Sequence, residues 1–236
     1  MAPALKLELP YAGDTCEQDV GDDREGTRFV KTAGMTLEEI NQRHAEKMAK
    51  KKAVRDRMIA TKTKEKGLII VHTGKGKGKS TAAMGLAVRA IGNGMRVGIV
   101  QFVKGVWKTG ERDVFEKFPE LCTIKAMGEG FTWDTQDRQR DIDAARTAWK
   151  MAKMMMDDQS YKMIILDELN IVLRYEYLPL DDVLEVLIRK RKDLHVVVTG
   201  RNAKQPLVDL ADLVTEMEQV KHPFRDGVKA QVGIEF

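Results

Sequence analysis

The chain has 236 residues, of which 43% are hydrophobic, and it carries a net charge of +4. This length and composition predict one α/β enzyme domain with a large buried core. Only Cys16 and Cys122 are present, which excludes a disulfide framework and a cysteine-based zinc site. No stretch approaches the roughly 18 apolar residues of a membrane span, and the N-terminus MAPALKLELP differs from a signal peptide. We therefore expect a cytoplasmic protein that is not embedded in a membrane.

The positive charge is concentrated in residues 41–66. This segment contains ten Lys or Arg and three acidic residues, a net charge of +7, which leaves −3 for the rest of the chain. The sequence TLEE, beginning at Thr36, fits a capping box, so we expect a basic helix within residues 36–66. Residues 1–35 show no sustained periodicity and are predicted to be a loosely ordered arm.

The basic helix has three possible roles at this stage. It could be a solvated helix, as most charged helices are. It could bind nucleic acid, although the segment contains no aromatic residue that would stack on bases. It could also close over a polyanionic ligand that is held by the loop immediately downstream.

Residues 68–81, LIIVHTGKGKGKST, have the pattern of a strand that leads into a phosphate-binding loop. In such loops the glycines let backbone N–H groups converge on phosphate, the lysine reaches the phosphates, and the hydroxyl binds Mg²⁺. The following AAMGLAVRAI favours a helix, whose N-terminus would face the anion. Gly74 is one residue nearer to Lys79 than the usual G-x-x-x-x-G-K-[ST] spacing requires. The alternative is a lysine-rich surface turn.

A second part of the site is predicted in residues 162–170, KMIILDELN. Its continuous apolar run is typical of a strand covered on both faces. Asp167 and Glu168 follow at the carboxyl edge, where open α/β sheets bind ligands, and they could hold Mg²⁺ directly or through water. An Asp-Glu pair after a strand is also common at the start of a helix, but the phosphate loop favours the metal.

Strand and helix patterns alternate along the rest of the chain. The predicted strands are Leu68–His72, Val97–Phe102, Thr123–Met127, Met163–Asp167, Leu194–Thr199 and Leu213–Glu216. Helices are predicted near residues 79–92, 137–157, 180–192 and 204–211, and in the second of these Ile142, Ala145, Trp149, Ala152 and Met156 share one face. This order predicts an α/β fold with a mostly parallel sheet and helices on both faces.

Two aromatic residues, Phe131 and Trp133, lie in the glycine-flanked segment 128–134, GEGFTWD, after a predicted strand. They could simply attach this loop to the body of the protein. They could instead form an apolar wall for a flat ligand beside the nucleotide. Composition does not choose between these two possibilities.

Together these motifs resemble the ATP:corrinoid adenosyltransferases, in the branch with a RecA-like P-loop fold. The resemblance covers roughly residues 40–236 and includes the shortened loop. The matching segments are TGKGKGKSTAAMGLAVRAIGNG, VGIVQFVKGVWKTGER, GEGFTWDTQ, ILDELN, YLPLDDV, VVVTGR, DLADLVTEM and VKHPFRDGVKAQVGIEF. The basic helix resembles the helix that folds over the active site in this family.

The resemblance implies that the Co(I) centre of a corrinoid attacks C5′ of ATP and expels triphosphate, so that no protein nucleophile is needed. Mg²⁺ or Mn²⁺ would be held by Ser80, Asp167 and Glu168. Catalytic roles fall to Lys79 and, beneath the corrin ring, to Phe131 and Trp133. The implied nucleotide-binding residues are Gly74, Lys75, Gly76, Lys77, Gly78, Lys79, Ser80, Thr81, Arg201 and Asn202.

The same resemblance implies a homodimer and a reducing flavoprotein as electron donor. Two other functions compete with this one. An ATP-hydrolysing motor or kinase-like enzyme would use the same loop to direct attack on the γ-phosphate. A nucleic-acid-binding protein would use the basic helix, although the absence of aromatic residues from residues 41–66 argues against this role.

Overall fold

The computed structural model describes residues 35–103, 109–127 and 137–234. The chain divides into two compact units, Met1–Thr63 and Lys64–Phe236, which we describe separately. Apart from Met35, the predicted N-terminal arm lies outside the described residues, and so does the segment containing Phe131 and Trp133.

Helix α1, Leu37–Ala60, is the described helix of the first unit, and it begins at the predicted capping box. The Glu39 N–H donates to Thr36 Oγ1 at 3.3 Å, and the Thr36 N–H donates back to Glu39 Oε2 at 2.8 Å. Its side chains are exposed apart from the half-buried Ile40. Capping therefore defines where this helix starts, but burial of an apolar face within the first unit does not stabilise it.

The second unit contains a six-stranded sheet in the order β3-β2-β4-β5-β1-β6. The strands are β1 Ile69–Thr73, β2 Arg96–Gln101, β3 Cys122–Ala126, β4 Tyr161–Asp167, β5 His195–Thr199 and β6 Leu213–Glu216. All neighbouring pairs are parallel. The predicted strands are thus present within two residues of their expected bounds, and the parallel sheet is confirmed.

The described helices of this unit are α2 Lys79–Gly92, α3 Gly110–Phe115, α4 Arg138–Asp157, α5 Leu169–Arg174, α6 Leu180–Arg189 and α7 Gln205–Leu210, followed by a 3₁₀ turn at Pro223–Asp226. Four of them correspond to the predicted helices, although α6 ends before the predicted residue 192. We did not predict α3, α5 or the 3₁₀ turn; segments of four to six residues span less than two helical turns, so their periodicity is a weak signal, and of the six-residue helices only α7 was predicted. Within the described part of the chain, no helix has the length and apolar character needed to cross a membrane.

Two apolar cores cover the two faces of the sheet. One face packs against α2 through small side chains such as Ala83 and Ala87. The other packs mainly against α4, α5 and α6, and the predicted core face of α4 is buried. The α/β class with helices on both faces is therefore confirmed.

Two glycine-to-alanine substitutions should change stability in opposite directions. A Cβ on Gly67 would lie 2.0 Å from the backbone oxygen of Leu194, so Gly67→Ala must displace backbone. A Cβ on Gly85, on the exposed side of α2, would meet nothing within 4 Å in the part of the chain that the structure describes. We expect Gly85→Ala to stabilise the protein by about 0.5–1 kcal/mol and Gly67→Ala to destabilise it by more than that.

Urea unfolding of both variants and the wild type measures these changes. Equal stability of the two variants would contradict the close packing assigned to Gly67.

Candidate nucleotide and metal site

The predicted site residues follow three neighbouring strands. In the sheet, β5 lies between β4 and β1, and all three strands run in the same direction. Their carboxyl ends therefore meet at one edge. The phosphate loop follows β1, the Asp167-Glu168 pair ends β4, and Arg201 and Asn202 follow β5.

The phosphate loop is packed against the backbone that follows β6. The Gly76 N–H donates to the carbonyl oxygen of Met217 at 2.6 Å, and the Met217 N–H donates to that of Thr73 at 2.9 Å. A Cβ on Gly74 would lie 2.4 Å from Met217 O, and one on Gly76 would lie 2.5 Å from Glu218 O. Since these contacts are with backbone, only glycine fits at both positions.

The loop ends at the N-terminus of α2. Gly78, at φ 103°, is the N-cap residue and has no side chain with which to cap the helix. The first turn then reads Lys79-Ser80-Thr81, without a carboxylate. Backbone N–H groups and the helix dipole thus favour an anion here.

Lys79 is the buried cation of the loop, with 6% of its surface exposed. Its Nζ donates to the carbonyl oxygen of Gly76 at 2.5 Å. Burial lowers the pKa of Lys79, and the positive charges of Arg201 and Lys77 lower it further, whereas the carboxylate of Glu168 raises it. These four side chains are therefore electrostatic neighbours at the carboxyl edge.

The other predicted nucleotide-binding side chains are more accessible. Ser80 is half-buried, and Lys75, Lys77, Thr81, Arg201 and Asn202 are exposed. They are therefore able to reach a ligand above this edge of the sheet.

Asp167 is completely buried and lies in a hydrogen-bond network at the end of β4. Its Oδ1 accepts a hydrogen bond from Thr199 Oγ1 at 2.8 Å, and its Oδ2 accepts one from Gln101 Nε2 at 3.2 Å. The next residue, Glu168, has a left-handed backbone at φ 64°, and its N–H donates to Thr199 Oγ1 at 2.9 Å. Glu168 is also the N-cap residue of α5, so the Asp-Glu pair does precede a helix as well as lying at the site.

Ser80, Asp167 and Glu168 fit a magnesium ion that is shared with a nucleotide. Carboxylate and hydroxyl oxygens suit Mg²⁺, which usually takes one or two carboxylates and completes its shell with phosphate and water. Among the described residues, no group of three or more His, Cys, Asp or Glu side chains could hold a metal by itself. The predicted ligands Ser80, Asp167 and Glu168 offer oxygen donors, which suits an ion that is bound together with phosphate.

A second set of contacts holds the turn that carries Arg201 and Asn202. Asn170, which is 1% exposed, donates from Nδ2 to the carbonyl oxygen of Gly200 at 3.0 Å. Gly200 has φ 126°, and a Cβ there would lie 2.9 Å from Asn170 Cβ. The start of α5 therefore packs directly against the turn after β5.

No role was predicted for Gln101, Thr199, Asn170 or Met217. A signal existed for the first two, because each is a polar residue that directly follows an apolar run at the end of its strand, in VGIVQ and VVVT. No comparable pattern identifies Asn170 or Met217, whose contacts come from chain segments distant in sequence. The roles of Phe131 and Trp133 stay predictions, since both lie outside the described residues.

Comparison with known proteins identifies the family. Residues 65–236 match the family described as ATP:corrinoid adenosyltransferase BtuR/CobO/CobP, and residues 37–59 match the cob(I)alamin adenosyltransferase N-terminal family. A corrinoid adenosyltransferase from Sinorhizobium sp is 55% identical over 201 residues, covering 84% of this chain and 94% of that protein. One from Pseudomonas aeruginosa is 52% identical over 198 residues, covering 84% of this chain and 98% of that protein.

A corrinoid adenosyltransferase from Escherichia coli K12 is 44% identical over 196 residues, covering 83% of this chain and 99% of its own length. Among solved structures, that of the RadB recombinase aligns with a TM-score of 0.41 at 15% identity, over 67% of this chain and 77% of that one, which is too low a score to support a conclusion. The family match and the curated relatives agree over most of the sequence. This chain belongs to the ATP:corrinoid adenosyltransferase family.

Proposed function

We propose that this protein is a transferase that moves the 5′-deoxyadenosyl group of ATP to the Co(I) centre of a corrinoid and releases triphosphate. Family membership supports the reaction class. The observation that carries the site assignment is the shortened glycine loop, which is packed on Met217 and Glu218 and leads to the buried Lys79 at a helix N-terminus.

The reaction forms a cobalt–carbon bond and breaks the bond between C5′ and the triphosphate oxygen. The electron pair of Co(I) enters the new bond, cobalt becomes Co(III), and the electrons of the broken bond leave with triphosphate. The protein aligns the two substrates and offsets the charge that develops on the leaving group. Lys79, Lys77, Arg201 and the N–H groups of the loop suit that task, because Lys77 and Arg201 are close enough to Lys79 to lower its pKa and the loop leads to a helix N-terminus.

The predicted metal ligands are Ser80, Asp167 and Glu168. A Mg²⁺ or Mn²⁺ ion held there would neutralise part of the phosphate charge. Gln101 and Thr199 hydrogen-bond to the Asp167 carboxylate, so this ligand is already ordered before the nucleotide arrives.

Further parts of the proposal rest on the sequence. The resemblance suggests a homodimeric assembly and a reducing flavoprotein as electron donor, and the composition suggests a cytoplasmic location. The aromatic residues Phe131 and Trp133 are proposed to form an apolar surface beneath the corrin, which would displace the lower axial ligand of cobalt and ease its reduction.

Product analysis tests the proposed reaction. The purified protein is incubated anaerobically with ATP, Mg²⁺ and a chemically reduced Co(I) corrinoid. We expect triphosphate and an adenosylated corrinoid in equal amounts. Formation of ADP and phosphate without an adenosylated product would instead identify an ATP-hydrolysing or kinase-like enzyme.

Replacing Lys79 should slow the transfer. Lys79→Ala removes a buried positive charge beside the leaving group, so we expect kcat to fall by about a hundredfold or more. Lys150→Ala, at an exposed position of α4, is the matched control and should retain wild-type kcat. Near-normal transfer by a folded Lys79→Ala protein would contradict the assigned role of this residue.

The basic segment should matter for binding of the polyanionic nucleotide. The match of residues 37–59 to an adenosyltransferase N-terminal family supports this, as does the +7 charge of residues 41–66. Deleting residues 1–63 should raise the KM for ATP by at least about tenfold, which corresponds to roughly 1.4 kcal/mol of lost attraction. This deletion retains Lys66, whose Nζ lies 2.6 Å from Asp212 Oδ1.

Deleting only residues 1–35 is the control and should change KM little. Full activity of the longer truncation would indicate that the basic segment is merely a solvated helix. Tight, salt-dependent binding of duplex DNA by the intact protein would instead favour the nucleic-acid alternative.

A further inference from the structure

We propose that Thr199 is a positioning residue that aligns the two carboxylates of the metal site, Asp167 and Glu168. The inference rests on the proposed function of that site. Thr199 is the last residue of β5. This strand lies between β1, which leads to the phosphate loop, and β4, which ends at Asp167. Thr199 is completely buried and is not one of the predicted metal ligands.

The hydroxyl of Thr199 makes one hydrogen bond in each direction. It donates its proton to Asp167 Oδ1 at 2.8 Å and accepts the N–H of Glu168 at 2.9 Å. A threonine hydroxyl has a single proton, so the direction of the first bond follows from the carboxylate being an acceptor. One oxygen atom therefore fixes the side chain of Asp167 and the backbone of Glu168 relative to each other.

Both partners need such support. Asp167 is a completely buried carboxylate, and loss of a donor to a charged, buried group carries a larger penalty than loss of a surface hydrogen bond. Glu168 has a left-handed backbone, which a non-glycine residue retains only where its surroundings hold it. Thr199 also makes the shorter of the two described bonds to the Asp167 carboxylate, since Gln101 Nε2 is 3.2 Å away.

The Thr199 hydroxyl therefore has a role beyond packing. Valine has almost the same shape as threonine but can neither donate to Asp167 nor accept from Glu168. Thr199→Val should leave the packing of β5 in place while allowing the Asp167 carboxylate to rotate and the turn at Glu168 to relax. Removal of a group that orients a metal ligand typically weakens metal binding by about 10–100-fold.

Metal binding by the full-length protein tests this role without any corrinoid present. Mn²⁺ is titrated by electron paramagnetic resonance in the presence of a saturating β,γ-imido analogue of ATP. Affinity for the analogue alone is measured by calorimetry in EDTA. We expect Thr199→Val to raise the Mn²⁺ Kd about tenfold or more, while the affinity for the analogue in EDTA changes by less than about twofold.

Two matched variants complete the design. Thr199→Ser retains the hydroxyl and should restore Mn²⁺ affinity to within a fewfold of the wild type. Thr215→Val makes the same substitution at an exposed position of β6 and should bind Mn²⁺ as the wild type does. If Thr199→Val does not fold, Thr199→Cys, which has a weaker donor, should show weakened Mn²⁺ binding in the same assay.

The outcomes separate this inference from the proposed function. Wild-type Mn²⁺ affinity in folded Thr199→Val or Thr199→Cys overturns the positioning role, even if the wild-type enzyme releases triphosphate as proposed. A parallel loss of Mn²⁺ and analogue affinity also overturns it, because Thr199 would then act on the whole fold. Absence of Mn²⁺ binding by the wild type overturns both the inference and the metal assignment.

Discussion

The parallel register of β1, β5, β4 and β2 is the constraint on which the site depends. In each strand, an apolar residue buried under α2 lies two positions before a polar residue at the carboxyl edge. The four pairs are Ile70 and His72, Val197 and Thr199, Ile165 and Asp167, and Ile99 and Gln101. Because side chains alternate between faces with a period of two, burial of the apolar member also orients the polar member toward that face. A register slip of one residue in β4 would turn Asp167 toward the opposite face of the sheet and break its hydrogen bonds to Thr199 and Gln101.

The parallel register buries polar side chains at the carboxyl edge of the sheet. Burial of such a group costs free energy unless it is hydrogen-bonded. Asp167, Thr199 and Gln101 meet that requirement by bonding to one another across three strands. His72 differs, because neither of its ring nitrogens has a hydrogen-bond partner among the residues that the structure describes. Burial lowers the pKa of His72, which is the expected direction, since a neutral imidazole is less costly to bury than a charged one.

The phosphate loop depends on a different kind of contact. Its conformation comes from close packing of glycines on the backbone of Met217 and Glu218, at distances where any Cβ would collide. These residues follow β6, the edge strand, whose own side chains are exposed. The loop is therefore braced by main-chain atoms together with the hydrogen bond from Lys79 Nζ to Gly76, and the side chains of Lys75 and Lys77 remain exposed at the site. The positive charges near the loop and the dipole at the N-terminus of α2 therefore attract a bound anion from fixed positions.

The sequence by itself determined the α/β class, the order of the strands along the chain, and the location of the phosphate loop. It did so because apolar runs, glycine spacing and the Lys79-Ser80 pair are local patterns. The buried face of α4 could be identified for the same reason, since it follows a helical period. The six-residue helix α5 is too short to show a helical period, and the contacts of Met217 leave no local pattern because they join segments far apart in the chain. Only the tertiary structure decided that Thr199 and Gln101 hold Asp167, since strands that are distant in sequence become neighbours only when the parallel sheet forms.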